Sequence, residues 1–127
     1  MPNFRIISLA AAGLSCAALV SAPLASAKGG DPIKVRVQCT QSSTAKLKLS
    51  REDSRIEVEF EVDQNRNGTP WKVTLRKNGA VVASATAVTR APSGSFSLRR
   101  VISGTTGTVV AVATRSSGER CSVQARI

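Results

Sequence analysis

Apolar and polar residues alternate regularly through most of the chain after residue 32, and this pattern limits what the chain can fold into. The segment IEVEFEVD at 56–63 shows it most clearly, with four apolar residues alternating with four acidic ones. Successive side chains of a β-strand point to opposite faces, so the pattern predicts strands with one buried face. The same alternation occurs at 33–39, 71–75 and 121–127, and no stretch shows a convincing helical period.

Turn signals separate the predicted strands. Asn78-Gly79 is the strongest short hairpin signal, and it predicts that residues 80–88 return as a strand. Segments rich in Gly, Ser and Pro break the chain at 91–94, 103–107 and 116–119. Seven or eight short strands, with turns about every 8 to 12 residues, indicate an antiparallel β-sandwich of immunoglobulin-like type. The length of 28–127 suits one such domain.

Residues 1–27 have the organisation of a secretory signal peptide. A basic residue precedes an apolar run at 6–20, and an Ala-Ser-Ala cleavage signal ends at Ala27. We expect cleavage between Ala27 and Lys28, which predicts a secreted protein, either free or associated with the cell wall. The run is shorter than the ~20 residues that span a membrane, so we expect no transmembrane segment. A lipid anchor on Cys16 is the alternative.

Two cysteines, Cys39 and Cys121, remain after this cleavage. In an exported protein such a pair is most simply explained by one disulfide bond. Both residues fall on the apolar faces of the first and last predicted strands, so the bond would tie the two ends of the domain together. Two free, buried thiols are the alternative, since apolar cysteines are common in protein cores.

Four segments of the mature region resemble a known group of proteins: EVEFEVDQNR, WKVTLRKNG, TRAPSGSF and the late cysteine that follows a Gly-Glu pair. The group consists of small secreted actinobacterial proteins that have an immunoglobulin-like sandwich and no assigned activity. The resemblance implies the same fold and a secreted location. It includes no catalytic signature and therefore implies nothing about chemistry.

The segment DQNRNG at 63–68 matches the opening of a calcium-binding loop, with Asp63, Asn65 and Asn67 as candidate ligands. The twelfth position of such a loop carries a bidentate glutamate, and here it is Thr74. Arg66 adds a positive charge beside the proposed ion. The sequence therefore favours a turn in which Asn side chains bond the local backbone, with a weak calcium site as the alternative.

The residue inventory argues against catalysis. No histidine occurs, which excludes Ser-His-Asp and Cys-His sites and disfavours zinc sites. Alternate acids at 57–63 would lie ~6.5–7 Å apart, as in some glycosidases, but no apolar pocket is evident to raise the pKa of one. A symmetrical hairpin with the next strand would instead place Glu61 opposite Lys72 and Glu57 opposite Arg76. We predict no catalytic residue and no cofactor, with a small hydrolase as the alternative.

Positive charge is concentrated in the second half of the chain, where ten Lys and Arg residues between 64 and 127 face Glu119 alone. This imbalance has two interpretations: an ordinary solvated, arginine-rich surface, and a face that binds acidic wall polymers, anionic lipid or extracellular nucleic acid. The candidate contacts are Arg66, Lys77, Arg90, Arg99, Arg100, Arg115 and Arg120. Strict alternation turns Arg100 inward unless a bulge intervenes. The charge count alone favours the ordinary solvated surface, and the binding face is the alternative.

The three aromatic residues of the mature chain are Phe60, Trp71 and Phe96, and all three fall on inward-facing positions. Because single-strand binders stack bases on exposed aromatic rings, sequence-specific nucleic-acid recognition is not expected. The first functional hypothesis is a non-catalytic extracellular binding or adhesion module, with an anionic cell-wall polymer or a secreted protein as candidate partners. The alternative is a secreted inhibitor or effector of another protein that presents Arg90 on the TRAPSGSF loop.

Overall fold

The computed structural model describes residues 30–127, which form eight strands arranged in two antiparallel sheets packed face to face. Cys16 and the predicted cleavage site between Ala27 and Lys28 lie outside the described residues. The strands are β1 (Ile33–Gln38), β2 (Thr44–Glu52), β3 (Arg55–Asp63), β4 (Pro70–Lys77), β5 (Ala80–Val88), β6 (Ser95–Ser103), β7 (Thr108–Thr114) and β8 (Arg120–Arg126).

The strand order confirms the immunoglobulin-like sandwich. The first sheet has the order β1-β2-β3-β6, and the second has the order β5-β4-β7-β8. Strands β2-β3-β6 facing β5-β4-β7-β8 correspond to strands A-B-E facing C′-C-F-G in immunoglobulin domains. Strand β1 is added outside β2. The edge strands are therefore β1 and β6 in the first sheet, and β5 and β8 in the second.

The core lies between the two sheets and consists of the inward-facing residues that the alternation predicts. Phe60, Trp71 and Phe96 are buried there, which confirms their predicted inward orientation. The Phe96 ring lies 6.1 Å from the Phe60 ring and 6.2 Å from the Trp71 ring, measured between centroids. Aromatic pairs at such distances and inclined angles contribute beyond their buried area.

The predicted hairpin between β4 and β5 is confirmed. Asn78 and Gly79 have φ angles of 49° and 86°, the pair of positive values that a type I′ turn requires. The pairing register shifts between Leu75 and Arg76, so Val82 of β5 has no directly paired residue on β4. This bulge interrupts the pairing of β5 with β4 at Val82, although β5 itself continues through it.

The prediction that β3 and β4 pair as a symmetrical hairpin is wrong. Glu61 lies opposite Lys46 rather than Lys72, and Glu57 lies opposite Ser50 rather than Arg76. The physical reason is that the chain crosses to the second sheet after β3, so β3 and β4 belong to different layers. The lysines of β2 complement the acid row of β3 as well as the cations of β4 would have done.

The predicted disulfide between Cys39 and Cys121 is present, with a Cα–Cα distance of 4.4 Å and a sequence separation of 82. Cys39 directly follows β1, and Cys121 lies in β8. Because β1 and β8 are edge strands of different sheets, the bond joins the two layers at one side of the sandwich.

The connections fall into two groups at opposite ends of the sandwich. One end, called the loop end below, carries the connections at 39–43, 64–69, 89–94 and 115–119. The opposite end carries the turns at 53–54, 78–79 and 104–107. A rigid β scaffold that brings several connections together at one end commonly uses them for binding.

Candidate binding surface

A buried carboxylate organises part of the loop end. Glu119 is fully buried, and its Oε2 atom accepts hydrogen bonds from the backbone amides of Gln41 at 3.1 Å and Ser43 at 2.9 Å. Its Oε1 atom accepts a hydrogen bond from the Ser43 hydroxyl at 2.8 Å. These bonds hold the 39–43 connection against the 115–119 connection.

The electrostatic surroundings of Glu119 favour its charged form. Burial acts to raise the pKa of Glu119, but hydrogen bonds from Ser43 and Arg115, together with the charge of Arg115, outweigh it. The pKa of Glu119 therefore lies below its ordinary value. At neutral pH the carboxylate is ionised, and its charge is buried inside the loop end.

Arg115 is the cationic partner of this carboxylate. Its Nε atom donates to Glu119 Oε1 at 2.9 Å, and its Nη2 atom donates to Gln41 Oε1 at 3.0 Å. Its guanidinium lies 5.6 Å from the centre of the Trp71 ring, which adds a cation–π contact. The side chain retains 17% exposure, so Arg115 is held in place while part of it still reaches the surface.

Thr89 joins the other two connections of the loop end. Its hydroxyl donates to the carbonyl of Arg66 at 2.6 Å and accepts from the amide of Thr69 at 2.9 Å. Gly94 packs against the same segment with a φ of 67°, and a Cβ at this position would overlap the backbone of Asn65 and Arg66. The 64–69 connection is therefore fixed against the 89–94 connection.

The contacts around Asp63, Asn65 and Asn67 agree with the turn interpretation of the candidate calcium loop. Asp63 Oδ1 accepts a hydrogen bond from the amide of Asn65 at 3.0 Å, and Asn65 has a φ of 57°. The carbonyl at the seventh loop position, that of Thr69, accepts the amide of Thr89 at 3.0 Å. Within residues 30–127 no group of three His, Cys, Asp or Glu residues could hold a metal ion.

The outer face of the first sheet mixes acids with bases. The acid row of β3 lies between the lysines of β2 and Arg99 of β6. Arg99 contacts Glu57 at 3.3 Å and Glu59 at 3.5 Å. Exposed ion pairs of this kind add little stability, but they partly neutralise the charge that Arg99 would offer to an anionic ligand.

The outer face of the second sheet carries only positive charge. No carboxylate occupies an outward position on β4, β5, β7 or β8, where the neutral residues are mostly Thr, Ser and Val. Lys72 and Arg120 flank Thr114 in one row across the sheet, which places their backbones about 10 Å apart. The cations of this face are Lys72, Arg76, Arg120 and Arg126.

Arg115 connects this face with the loop end. On one side, Arg115 and Arg66 line a depression together with Ser42 and Gln64. On the other side, Arg115 and Lys72 line a second depression with residues of β4, β5 and β7. The basic surface, as the term is used below, comprises the cations of these two depressions and of the row through Thr114: Arg66, Lys72, Arg115 and Arg120.

The seven cations predicted from the sequence do not share one face. Lys77 lies at the opposite end, where its Nζ atom donates to the carbonyl of Ser103 at 2.6 Å. Arg99 lies among the carboxylates of the first sheet, and Arg90 is exposed at the connection between β5 and β6. Three of the seven belong to the basic surface: Arg66, Arg115 and Arg120.

Arg100 occupies the inward register that strict alternation predicts, since it pairs with Val58 and no bulge interrupts β6. It is nevertheless exposed, since β6 is an edge strand of its sheet. Its guanidinium donates to the carbonyl of Arg99 at 2.9 Å. Arg99 and Arg100 therefore point to opposite faces of the same strand.

Sequence reasoning missed Lys72, Arg76 and Arg126 as candidate contacts. All three alternate with apolar residues on β4 or β8, so the alternation itself marked them as outward. Their membership of one face depends on which strands share a sheet, and the sequence pattern does not reveal that.

Comparison with known proteins adds no assignment. No family model matches the chain, and no curated protein matches it. Within residues 30–127 no helix is long and apolar enough to cross a membrane. The disulfide and the surface chemistry are the features that bear most directly on function.

Proposed function

We propose that this protein is a secreted, non-catalytic binding module that holds an acidic cell-wall polymer on the basic surface. The observation that supports this most directly is the difference in charge between the outer faces of the two sheets. Carboxylates accompany the cations of the first sheet, whereas no outward carboxylate accompanies Lys72 and Arg120 on the second. Glu119, the one acidic residue between 64 and 127, is buried and hydrogen-bonded within the loop end.

The shape of the basic surface suits a polymer better than a compact ligand. It extends from the loop end onto the outer face of the second sheet, and the two depressions beside Arg115 lie along it. Backbone positions about 10 Å apart for Lys72 and Arg120 match contacts to separate anionic groups along a chain. Such contacts release condensed counterions and therefore depend strongly on salt.

The proposed location and the absence of catalysis have separate support. A disulfide bond is typical of oxidising compartments, and the signal peptide predicted at 1–27 would deliver the chain to one. The chain has no histidine to serve as a general base. The resemblance to small secreted immunoglobulin-like proteins leads to the same location.

A titration of fluorescently labelled polyphosphate with the purified protein tests this function. We expect binding at about 50 mM salt and a steep loss of affinity by about 200 mM. Poly-L-glutamate should bind with a similar salt dependence, since anionic contacts position a protein without reading a sequence. Absence of binding to either polymer at low salt would contradict the proposal.

A second candidate function is inhibition of a secreted protein through the 89–94 connection. The observation that favours it is the fixed presentation of Arg90, whose amide donates to Ser95 O at 2.9 Å and whose carbonyl accepts Gly94 N at 2.9 Å. Immobilised protein would then retain one discrete enzyme from culture supernatant, and Arg90→Ser would release it. Equal retention by both proteins would exclude this role for Arg90.

A further inference from the structure

One edge strand of the sandwich differs in composition from the other three. Strands β1, β6 and β8 each carry two cations, whereas β5 has nine residues with no charge and no proline. Unpaired backbone groups on an edge are a template for another strand, and charged side chains commonly protect them. Strand β5 is the edge that lacks this protection. The cations on the other edges are Lys34, Arg36, Arg99, Arg100, Arg120 and Arg126.

The sequence of β5 is nearly symmetrical about its centre. The segment VASATAV at 82–88 reads almost identically in both directions around Ala85. Ala83, Ala85 and Ala87 lie on the inward register of β5, opposite the buried residues of β4. Two such strands running antiparallel about Ala85 would place alanine against alanine at every inward position.

The outward residues of β5 complete the match. In the same register Ser84 lies opposite the partner copy's Thr86, which pairs two small hydroxyl side chains. Val82 lies opposite the partner copy's Val88 at both ends of the contact. These valines are 40% and 38% exposed, so this pairing would cover apolar surface that is open to solvent.

We infer that two copies of this chain associate through β5, with a two-fold axis through Ala85 perpendicular to the sheet. The second sheets of both copies then join into one continuous sheet of eight strands. The contact is isologous, since the same segment contributes on both sides. The symmetrical register extends from Val82, at the bulge, to Val88, the last residue of β5.

The charge distribution of the protein favours association through β5 over association through another edge. Residues 30–127 carry sixteen Lys and Arg residues and eight Asp and Glu residues, so two copies repel each other over most of their surfaces. Strand β5 itself carries no charge, so pairing through it places no cations opposite one another on the two pairing strands. Raising the salt concentration should therefore strengthen self-association, whereas it should weaken polymer binding.

This arrangement has a consequence that rests on the proposed function. The outer faces of the joined sheets lie on the same side, and three strand spacings place the two β4 strands about 14 Å apart. Lys72 and Arg76 of both copies would then face one polymer. Two linked sites bind a polymer more tightly than one site does.

Sedimentation velocity of the oxidised protein, without polymer and at concentrations up to about 1 mM, tests the inference. A pairing of one strand is small compared with stable interfaces, so we expect a weak dimer. The variant Ser84→Lys with Thr86→Lys would place lysine opposite lysine twice. Its dimer dissociation constant should therefore be about tenfold higher than that of wild type, or more. The control adds two lysines to the outward face of β8, as Ser122→Lys with Gln124→Lys, and should associate like wild type.

A charge-reversal variant tests the register itself. Ser84→Glu with Thr86→Lys would place glutamate opposite lysine at both symmetrical positions, so it should dimerise at least as well as wild type. Equal melting temperatures would show that each variant is folded. A monomeric wild type at every concentration and salt would overturn the inference, as would equal weakening by both β5 variants. Neither result depends on polymer binding, which the polyphosphate titration measures separately.

Discussion

Glu119 accepts hydrogen bonds from both the backbone amide and the hydroxyl of Ser43, which precedes it by 76 residues. Both groups are buried, so the contact replaces water on a charged side chain with fixed donors. It joins the 39–43 connection, which begins at Cys39, to the 115–119 connection, which ends just before Cys121, so it lies beside the disulfide between these cysteines. The shape of the loop end, and the position of Arg115 within it, therefore depends on this carboxylate.

Replacement of Glu119 by Gln should lower the free energy of unfolding by about 3 kcal/mol, because it leaves Arg115 without its buried counter-charge. Urea denaturation at neutral pH would measure the change. Asp31→Asn is the matched control, since Asp31 is exposed ahead of β1, and it should have almost no effect. Equal stability of wild type and Glu119→Gln would contradict the role assigned to this carboxylate.

The same contact predicts an acid limb in the stability profile. A carboxyl group whose pKa is lowered on folding stabilises the fold fully above its unfolded pKa, here an ordinary value of 4.5, and loses that effect as pH falls through the folded pKa. The melting temperature of wild type should therefore fall below about pH 4.5 more steeply than that of Glu119→Gln. Parallel profiles for the two proteins would show that another group causes the acid limb.

Reduction of the disulfide should destabilise the sandwich strongly. Closure of a loop of 82 residues reduces the entropy of the unfolded chain and corresponds to about 4.5 kcal/mol. Urea denaturation of wild type with and without reductant would measure the loss of unfolding free energy. The double variant Cys39→Ala with Cys121→Ala would provide a second measurement. The reduced wild type and the double variant should agree. Two free thiols at these positions in the mass spectrum of protein purified without reductant would contradict the pairing.

Gly94→Ala should cost more stability than Gly79→Ala, although both glycines have positive φ angles. A Cβ at Gly94 would overlap the backbone of Asn65 and Arg66, whereas a Cβ at Gly79 meets no atom within 4 Å. The backbone conformation disfavours alanine at both positions. The difference between the two variants, about 2 kcal/mol, isolates the steric contact that holds the loop end together. Equal losses in thermal melts would mean that this contact is not tight in solution.

Much of the fold could be predicted because alternation and turn chemistry are local signals. The pattern at 56–63 identified the face of β3 that is buried, and Asn78-Gly79 identified a hairpin. The partner of β3 could not be predicted, since its acids suit Lys46 and Lys48 of β2 as well as Lys72 and Arg76 of β4. Sheet membership depends on packing between distant segments, and residue spacing does not encode it.

The candidate site was predictable only in part for the same reason. The charge count indicated an excess of cations after residue 63, and the basic surface contains three of the predicted residues. Arg115 has a local signal, because Glu119 follows it at a spacing of four, but its contact with Trp71 arises from the tertiary fold. Lys72 became a candidate only when the two outer faces could be compared.

The most direct test of the proposed function compares two double variants in the polyphosphate titration. Lys72→Gln with Arg120→Gln removes two charges from the basic surface, and Lys34→Gln with Arg36→Gln removes two from exposed positions on β1 of the first sheet. We predict that the first variant binds at least about tenfold more weakly at low salt. The slope of its log affinity against log salt concentration should fall by about one unit for each cation that no longer contacts the polymer. The second variant should bind almost like wild type. Equal weakening by both variants would show that net charge alone causes the binding and would contradict a dedicated basic surface.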